Sequence, residues 1–247
     1  MTEYRKYYRN QVLPGMSEGA TDQMVGLPPP PMQKPYPADA QLVDLVAPGD
    51  MALGQAPLIQ AIDNRRSRRK YTDEPLTLEE LSFLLRCTQG VQKLVRNGLV
   101  TLRTVPSGGC MHPFETYLVV NRVAGLEPGL YRYLAVEHKL YPVDLRERDW
   151  PELVGEASNE QTFAGKGAVV FIWSARPYRT EWRYGDDSLK DVLISVGHVC
   201  QNLYLACEAI GVGTCAIVAY QQDKLDELIG VDGYDEIALY LAPVGKV

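Results

Sequence analysis

The sequence predicts an α+β fold, on three observations. Short segments rich in β-branched and aromatic residues recur at 116–120, 129–133, 168–174, 215–219 and 236–241. Helical patterns lie between them without the strict strand-helix alternation of a doubly wound sheet. A chain of 247 residues with 46% hydrophobic composition can bury one large core.

Taken in order, residues 1–55 hold Pro28-Pro29-Pro30-Pro31, then Pro35, Pro37 and Gly49, with few periodic apolar positions. They read as an extended arm without a core of its own, either disordered or draped over a neighbouring subunit. Residues 56–247 read as the folded domain. Leu58, Ile59 and Ile62 predict a short helix. Thr77-Leu78-Glu79-Glu80 has the form of a capping box, and Leu78, Leu81, Leu84 and Leu85 follow at helical spacing up to Gln89-Gly90. Ser188-Leu189-Lys190-Asp191 opens a long helix whose apolar positions, Val192, Leu193, Val196, Val199, Cys200 and Leu203, extend nearly all round. Such a helix is buried at the domain centre or in a dimer interface. Gly211 is placed to cap it, and residues 223–229 predict one more helix before the last strand.

Composition narrows the function. With 31 acidic against 25 basic side chains and a net charge of -6, the chain lacks the spread basic field that nucleic acid or an anionic membrane would require. It contains no apolar run of transmembrane length, and Met1-Thr2-Glu3-Tyr4-Arg5-Lys6 is too polar for a signal peptide, so a cytoplasmic protein is expected. Cys87, Cys110, Cys200, Cys207 and Cys215 show no C-x-x-C spacing, and only three histidines are present, so no metal centre is expected.

Four segments carry candidate chemistry. Arg65-Arg66-Ser67-Arg68-Arg69-Lys70-Tyr71 places five cations within six residues. It reads either as a phosphate clamp, with guanidinium forks and the Ser67 hydroxyl on the oxygens, or as a solvated helix end favoured by the helix dipole. In Pro106-Ser107-Gly108-Gly109, adjacent glycines let the backbone approach a planar ligand, although an ordinary loop has the same composition. Gly211-Val212-Gly213 lacks the third glycine of a dinucleotide fingerprint and reads first as a helix cap and turn. Lys246, beside the carboxyl terminus, can reach a phosphate or remain solvated.

In their order these segments resemble the nitroreductase family, and within it the SagB-type branch, which includes azoline dehydrogenases of peptide toxin pathways. The resemblance rests on Arg65-Arg66-Ser67-x-Arg69-x-Tyr71, Arg103-Thr104-Val105-Pro106-Ser107-Gly108-Gly109, Gly129-Leu130-Tyr131-Arg132-Tyr133, the helix from Gly197 to Ala206, Gly211-Val212-Gly213 and Pro243-Val244-Gly245. It implies a nitroreductase-like α+β fold with a mixed or antiparallel central sheet flanked by helices, and an intertwined homodimer with FMN at the interface. Arg65, Arg66, Ser67 and Arg69 would hold the FMN phosphate, ribityl chain and pyrimidine edge, with Lys246 a further phosphate contact. Pro106, Ser107, Gly108 and Gly109 would come from the partner. The backbone at Gly213, Cys215, Ala216 and Ile217 would face the isoalloxazine. Arg68 and Lys70 fall at variable positions of the motif and would be solvated.

The implied activity is an FMN-dependent oxidoreductase passing hydride through flavin N5, acting on a small or peptide-derived substrate. Nitro or quinone reduction with NADH or NADPH, and non-catalytic binding of flavin or a phosphorylated metabolite, are the alternatives. Where azoline-oxidising members carry a lysine-tyrosine pair, this chain has Arg183-Tyr184. Tyr184 is the candidate acid or base, because arginine stays protonated; a surface pair beside Trp182 is the other reading.

Overall fold

The computed structural model describes residues 20–247. Its elements in chain order are β1 (Val43–Asp44), α1 (Leu58–Asn64), α2 (Leu78–Gln89), β2 (Val91–Val95), β3 (Val100–Arg103), β4 (Phe114–Val120), β5 (Gly129–Leu134), β6 (Lys139–Asp144), α3 (Trp150–Ala157), β7 (Val169–Ala175), α4 (Tyr178–Tyr184), α5 (Ser188–Ala209), β8 (Val212–Thr214), α6 (Gln222–Ile229) and β9 (Ile237–Lys246). Seven strands form one sheet in the order β1-β6-β5-β4-β7-β9-β8, with every neighbouring pair antiparallel.

Strand alternation divides the core. On β7, Val169, Phe171 and Trp173 face a cluster that includes Leu81, Leu84 and Leu85 of α2 and Val192, Val196, Val199 and Leu203 of α5. Val170 and Ile172 face a second cluster with Trp150 and Val154 of α3 and Leu225 and Ile229 of α6. The central strands are therefore covered on both sides, which is why β4 and β7 are buried along their whole length.

The capping box forms as expected: the Glu80 backbone N–H donates to Thr77 Oγ1 at 3.1 Å, and the Thr77 N–H donates to Glu80 Oε2 at 2.8 Å. The long helix ends as expected too, with Gly211 at φ +72° just beyond the C-cap Ile210. The strand expected at 215–219 lies earlier, at Val212–Thr214, where it pairs with the end of β9; residues 215–219 are irregular apart from a bridge between Ile217 and Leu241.

The described part of the arm, from residue 20, lies over its own domain, held through its main chain by buried arginines. Arg179 Nε donates to Pro31 O at 2.9 Å, Arg103 Nη2 to Met32 O at 3.3 Å and Arg132 Nη2 to Pro35 O at 2.9 Å. Prolines lack N–H groups but keep their carbonyls, so a proline-rich strap is well suited to such donors. Lys34 adds an ion pair to buried Glu236 at 2.8 Å.

His112 lies near this buried charge, only 3% exposed. Burial, reinforced by the Arg103 cation, lowers its pKa from 6.5 to about 3. The unfolded chain therefore takes up a proton that the folded chain refuses. Stability should fall as pH drops from 6.5 towards about 3, more steeply in the native protein than in His112→Asn, as thermal unfolding across that range would show.

Candidate functional site

The arginine segment leaves α1 and runs beside β8. Its register is fixed by the Arg68 N–H, which donates to Thr214 O at 2.9 Å, and by the Tyr71 hydroxyl on Arg68 O at 2.8 Å. Gly213 is required here, because a Cβ at that position would lie 2.9 Å from the Arg68 side chain. The segment and the Gly213–Ile217 backbone are thus brought together.

Tyr204 of α5 joins them. Its hydroxyl accepts the Ala216 N–H at 2.9 Å and meets Ser67 Oγ at 3.0 Å. The Tyr204 hydroxyl thus bridges the Ala216 N–H and the Ser67 hydroxyl, and either hydroxyl of that pair can donate to the other. The Arg65 guanidinium lies 5.4 Å from the Tyr204 ring centroid, within cation-π range. Tyr204 was not singled out from the sequence as a site residue, since at helical spacing it reads as part of the helix's apolar surface.

The charges sort into paired and unpaired. Arg66 Nη1 caps the end of α1 through Asp63 O at 2.9 Å and Arg65 O at 2.7 Å, and Arg69 lies over the Phe163 ring. Arg65, Arg66 and Arg69 have no carboxylate partner among the described residues. Arg68, expected to be solvated, instead pairs with Glu208 of α5 at 3.3 Å, while Lys70 is exposed as expected. Lys246 also departs from expectation. Its Nζ meets Glu80 Oε1 at 2.5 Å, because that carboxylate is buried by its capping role and needs a cation. Arg65, Arg66, Ser67 and Arg69 are thus left available to an anion, while Lys246 is paired with Glu80. Three unpaired guanidiniums on one segment fit a multiply charged anion such as a phosphate monoester.

The glycine loop forms a second constellation. Ser107 Oγ accepts the His112 N–H at 3.1 Å, closing its own turn, and Gly109 (φ +56°), Cys110 (+59°) and His112 (+44°) all take left-handed backbone conformations. A Cβ at Gly109 would lie 2.6 Å from the Tyr184 hydroxyl and 3.0 Å from Arg183; one at Gly108 would lie 2.4 Å from the Asp191 carboxylate. Arg183 and Tyr184, the last residues of α4, therefore sit against the loop, with the Arg183 guanidinium 5.5 Å from the Tyr184 ring centroid. Pro106 is exposed beside them.

The two constellations occupy different parts of α5. Asp191 marks the loop end and Tyr204 the arginine end, 13 residues apart, or about 20 Å along the helix. Cys215 is buried between β8 and the site backbone as a free thiol. Among the described residues no group of three or more metal-ligating side chains occurs, and no helix is long and apolar enough to cross a membrane.

The model of the nitroreductase family matches residues 62–246. A chain of Methanocaldococcus jannaschii that carries a nitroreductase name, MJ1384, is 35% identical over 182 residues, covering 74% of this chain and 87% of its own length. The trifolitoxin-processing protein TfxB of Rhizobium leguminosarum is 27% identical over 140 residues, 56% of this chain but 38% of TfxB. Among solved structures, a nitroreductase-named chain from Ralstonia eutropha superposes with a TM-score of 0.68 at 23% identity, covering 90% of this chain and 99% of that one. With three quarters of its length inside the family model and a relative above the identity at which family membership is secure, the chain belongs to the nitroreductase family, whose members are typically flavin-dependent oxidoreductases.

Proposed function

We propose that this protein is an FMN-dependent oxidoreductase of the SagB-type branch that works as a homodimer. The observation that carries the reading is the set of unpaired guanidiniums, Arg65, Arg66 and Arg69, on a segment whose other arginine is neutralised by Glu208. Arg65 and Arg66 hold the phosphate, and Ser67, oriented by Tyr204, donates to its oxygens. Arg69 lies towards the pyrimidine edge, where a cation favours added negative charge. When bound, FMN supplies hydride transfer at N5. Tyr184, held against the loop by Gly109, holds or moves a proton at its hydroxyl.

Separation and exposure support the dimer. About 20 Å between the two constellations is too far for one flavin ring to touch both in one chain, so the glycine loop and Tyr184 serve the partner's cofactor. Helix α1 exposes Leu58 (66%) and Ile59 (65%), and α5 exposes Leu193 and Ile194, an apolar surface of the kind that self-association covers. Likeness to a trifolitoxin-processing protein favours a peptide-derived substrate over a nitroaromatic one.

Purified protein should be yellow and should remain so through gel filtration as a dimer. Bleaching on anaerobic addition of NADPH would favour the nitro or quinone reductase alternative; a yellow protein inert to all reductants would favour non-catalytic binding. Tyr204→Phe removes the hydroxyl shared by Ser67 and Ala216, and should weaken FMN binding about tenfold, measured by flavin fluorescence titration. Unchanged affinity would remove Tyr204 from the site.

A further inference from the structure

A cavity of about 170 Å³ opens beside the glycine loop, between the proline run of the arm, the tip of the β2–β3 hairpin and α4. The prolines, Leu99 and Trp182 form its apolar wall, and Cys110 and Met111, immediately after Gly109, form the side nearest the loop. Its charged lining is wholly cationic: Arg96, Arg179 and Arg183. Neither Arg96 nor Arg183 has a carboxylate partner among the described residues.

Arg179 is 4% exposed. One of its nitrogens is spent on Glu115 and another on Pro31 O, but Nη1 is buried with no hydrogen-bond partner. That nitrogen has no accessible surface, so Arg179 lends the cavity its positive charge, while the guanidiniums open to a ligand are those of Arg96, exposed at the hairpin tip, and Arg183. Glu115 cannot neutralise the whole group, because it already serves Arg179 and the Lys34 N–H, and Arg103 stands close by as a further buried cation. Burial, followed by repulsion from Arg179, lowers the Arg103 pKa to about 10.

We propose that this arm-walled cavity is a specificity subsite for a small carboxylate carrying a ring-sized apolar group. The size is right, since a cavity of about 150 Å³ lined by apolar side chains accepts a benzene ring. The chemistry is right as well: a planar carboxylate matches guanidinium forks, while the prolines and Trp182 offer flat apolar surface to the ring. Arg183 and Met111 join the cavity to the glycine loop, so a group held there extends towards Tyr184 and the flavin. Calling that group part of the substrate rests on the flavin reading; the binding of the carboxylate does not. The arm then has a function beyond stability, because without residues 29–32 one wall of the subsite is missing.

The test uses the full-length, FMN-incubated protein titrated calorimetrically with phenylacetate and with phenylacetamide. Phenylacetate should bind saturably and the neutral amide about tenfold more weakly or worse. Arg96→Gln, a change at an exposed hairpin tip, should weaken phenylacetate about fivefold while leaving amide affinity and flavin content unchanged. Equal affinity for acid and amide, phenylacetate binding indifferent to Arg96→Gln, or no saturable binding by a protein that holds its flavin would overturn the inference. Charge-dependent binding by a protein that never takes up FMN would uphold the subsite and sink the flavin reading instead.

Discussion

Glu115→Ala should lower the free energy of unfolding by about 3–5 kcal/mol and release the arm, because it strands a buried cation. Glu115 is 3% exposed and Arg179 4%. Glu115 Oε1 meets Arg179 Nη2 and also accepts the Lys34 N–H at 2.6 Å, so one carboxylate ties α4, β4 and the arm together. Removing it leaves the Arg179 charge without its counterion, with Nη1 already unpartnered and Arg103 nearby. The loss should appear as a lower denaturant midpoint, together with new protease sensitivity within residues 20–46. Glu115→Gln keeps an acceptor without the charge and should fall between the two. A variant within about 1 kcal/mol of the native protein would mean that the arm is held by its packing and not by these charges.

The second large effect is a ranking within the arginine segment. Arg66→Ala and Arg65→Ala should each weaken FMN binding by about tenfold to a hundredfold, the effect of losing a charge-assisted contact to phosphate. Arg68→Ala should leave flavin affinity nearly unchanged. It deletes only a half-exposed pair with Glu208, worth at most about 1 kcal/mol of stability. Flavin titration of the three variants gives the ranking directly, and the reverse order would relocate the anion site.

What could be read in the sequence was local or repeated. The Thr77 capping box and the spacing of Leu81, Leu84 and Leu85 are signals contained within one helix, and they place α2 closely. The arginine segment was legible as a cluster, but its division into paired and unpaired members was not. Glu208 lies 140 residues from Arg68, and Glu80 lies 166 residues from Lys246, so only the fold reveals that these cations are engaged. The β2–β3 hairpin is not legible although Asn97-Gly98 marks its turn: β2 is mostly exposed, and the buried positions of β3 are the polar Thr101 and Arg103, so no apolar alternation shows.

Helix α4 shows a different obstacle. Its buried face is Arg179, Thr180 and Trp182, and polar residues at those positions do not register as an apolar stripe. Arg179 and Trp182 donate to arm carbonyls, Pro31 O and Leu27 O, and such main-chain acceptors carry no sequence signal. This is also why the arm's path over its own domain, and the cavity it walls, could not be anticipated from its prolines. In both cases the missing information is the partner of a main-chain acceptor.

The central claim is that the unpaired guanidiniums hold FMN. Its most direct test is the visible spectrum of purified protein before and after incubation with FMN and removal of the excess. Native protein and Arg68→Ala should retain flavin in proportion to chain concentration, while Arg66→Ala, still folded by circular dichroism, should lose most of it. A folded native protein that stays colourless after that incubation would contradict the account.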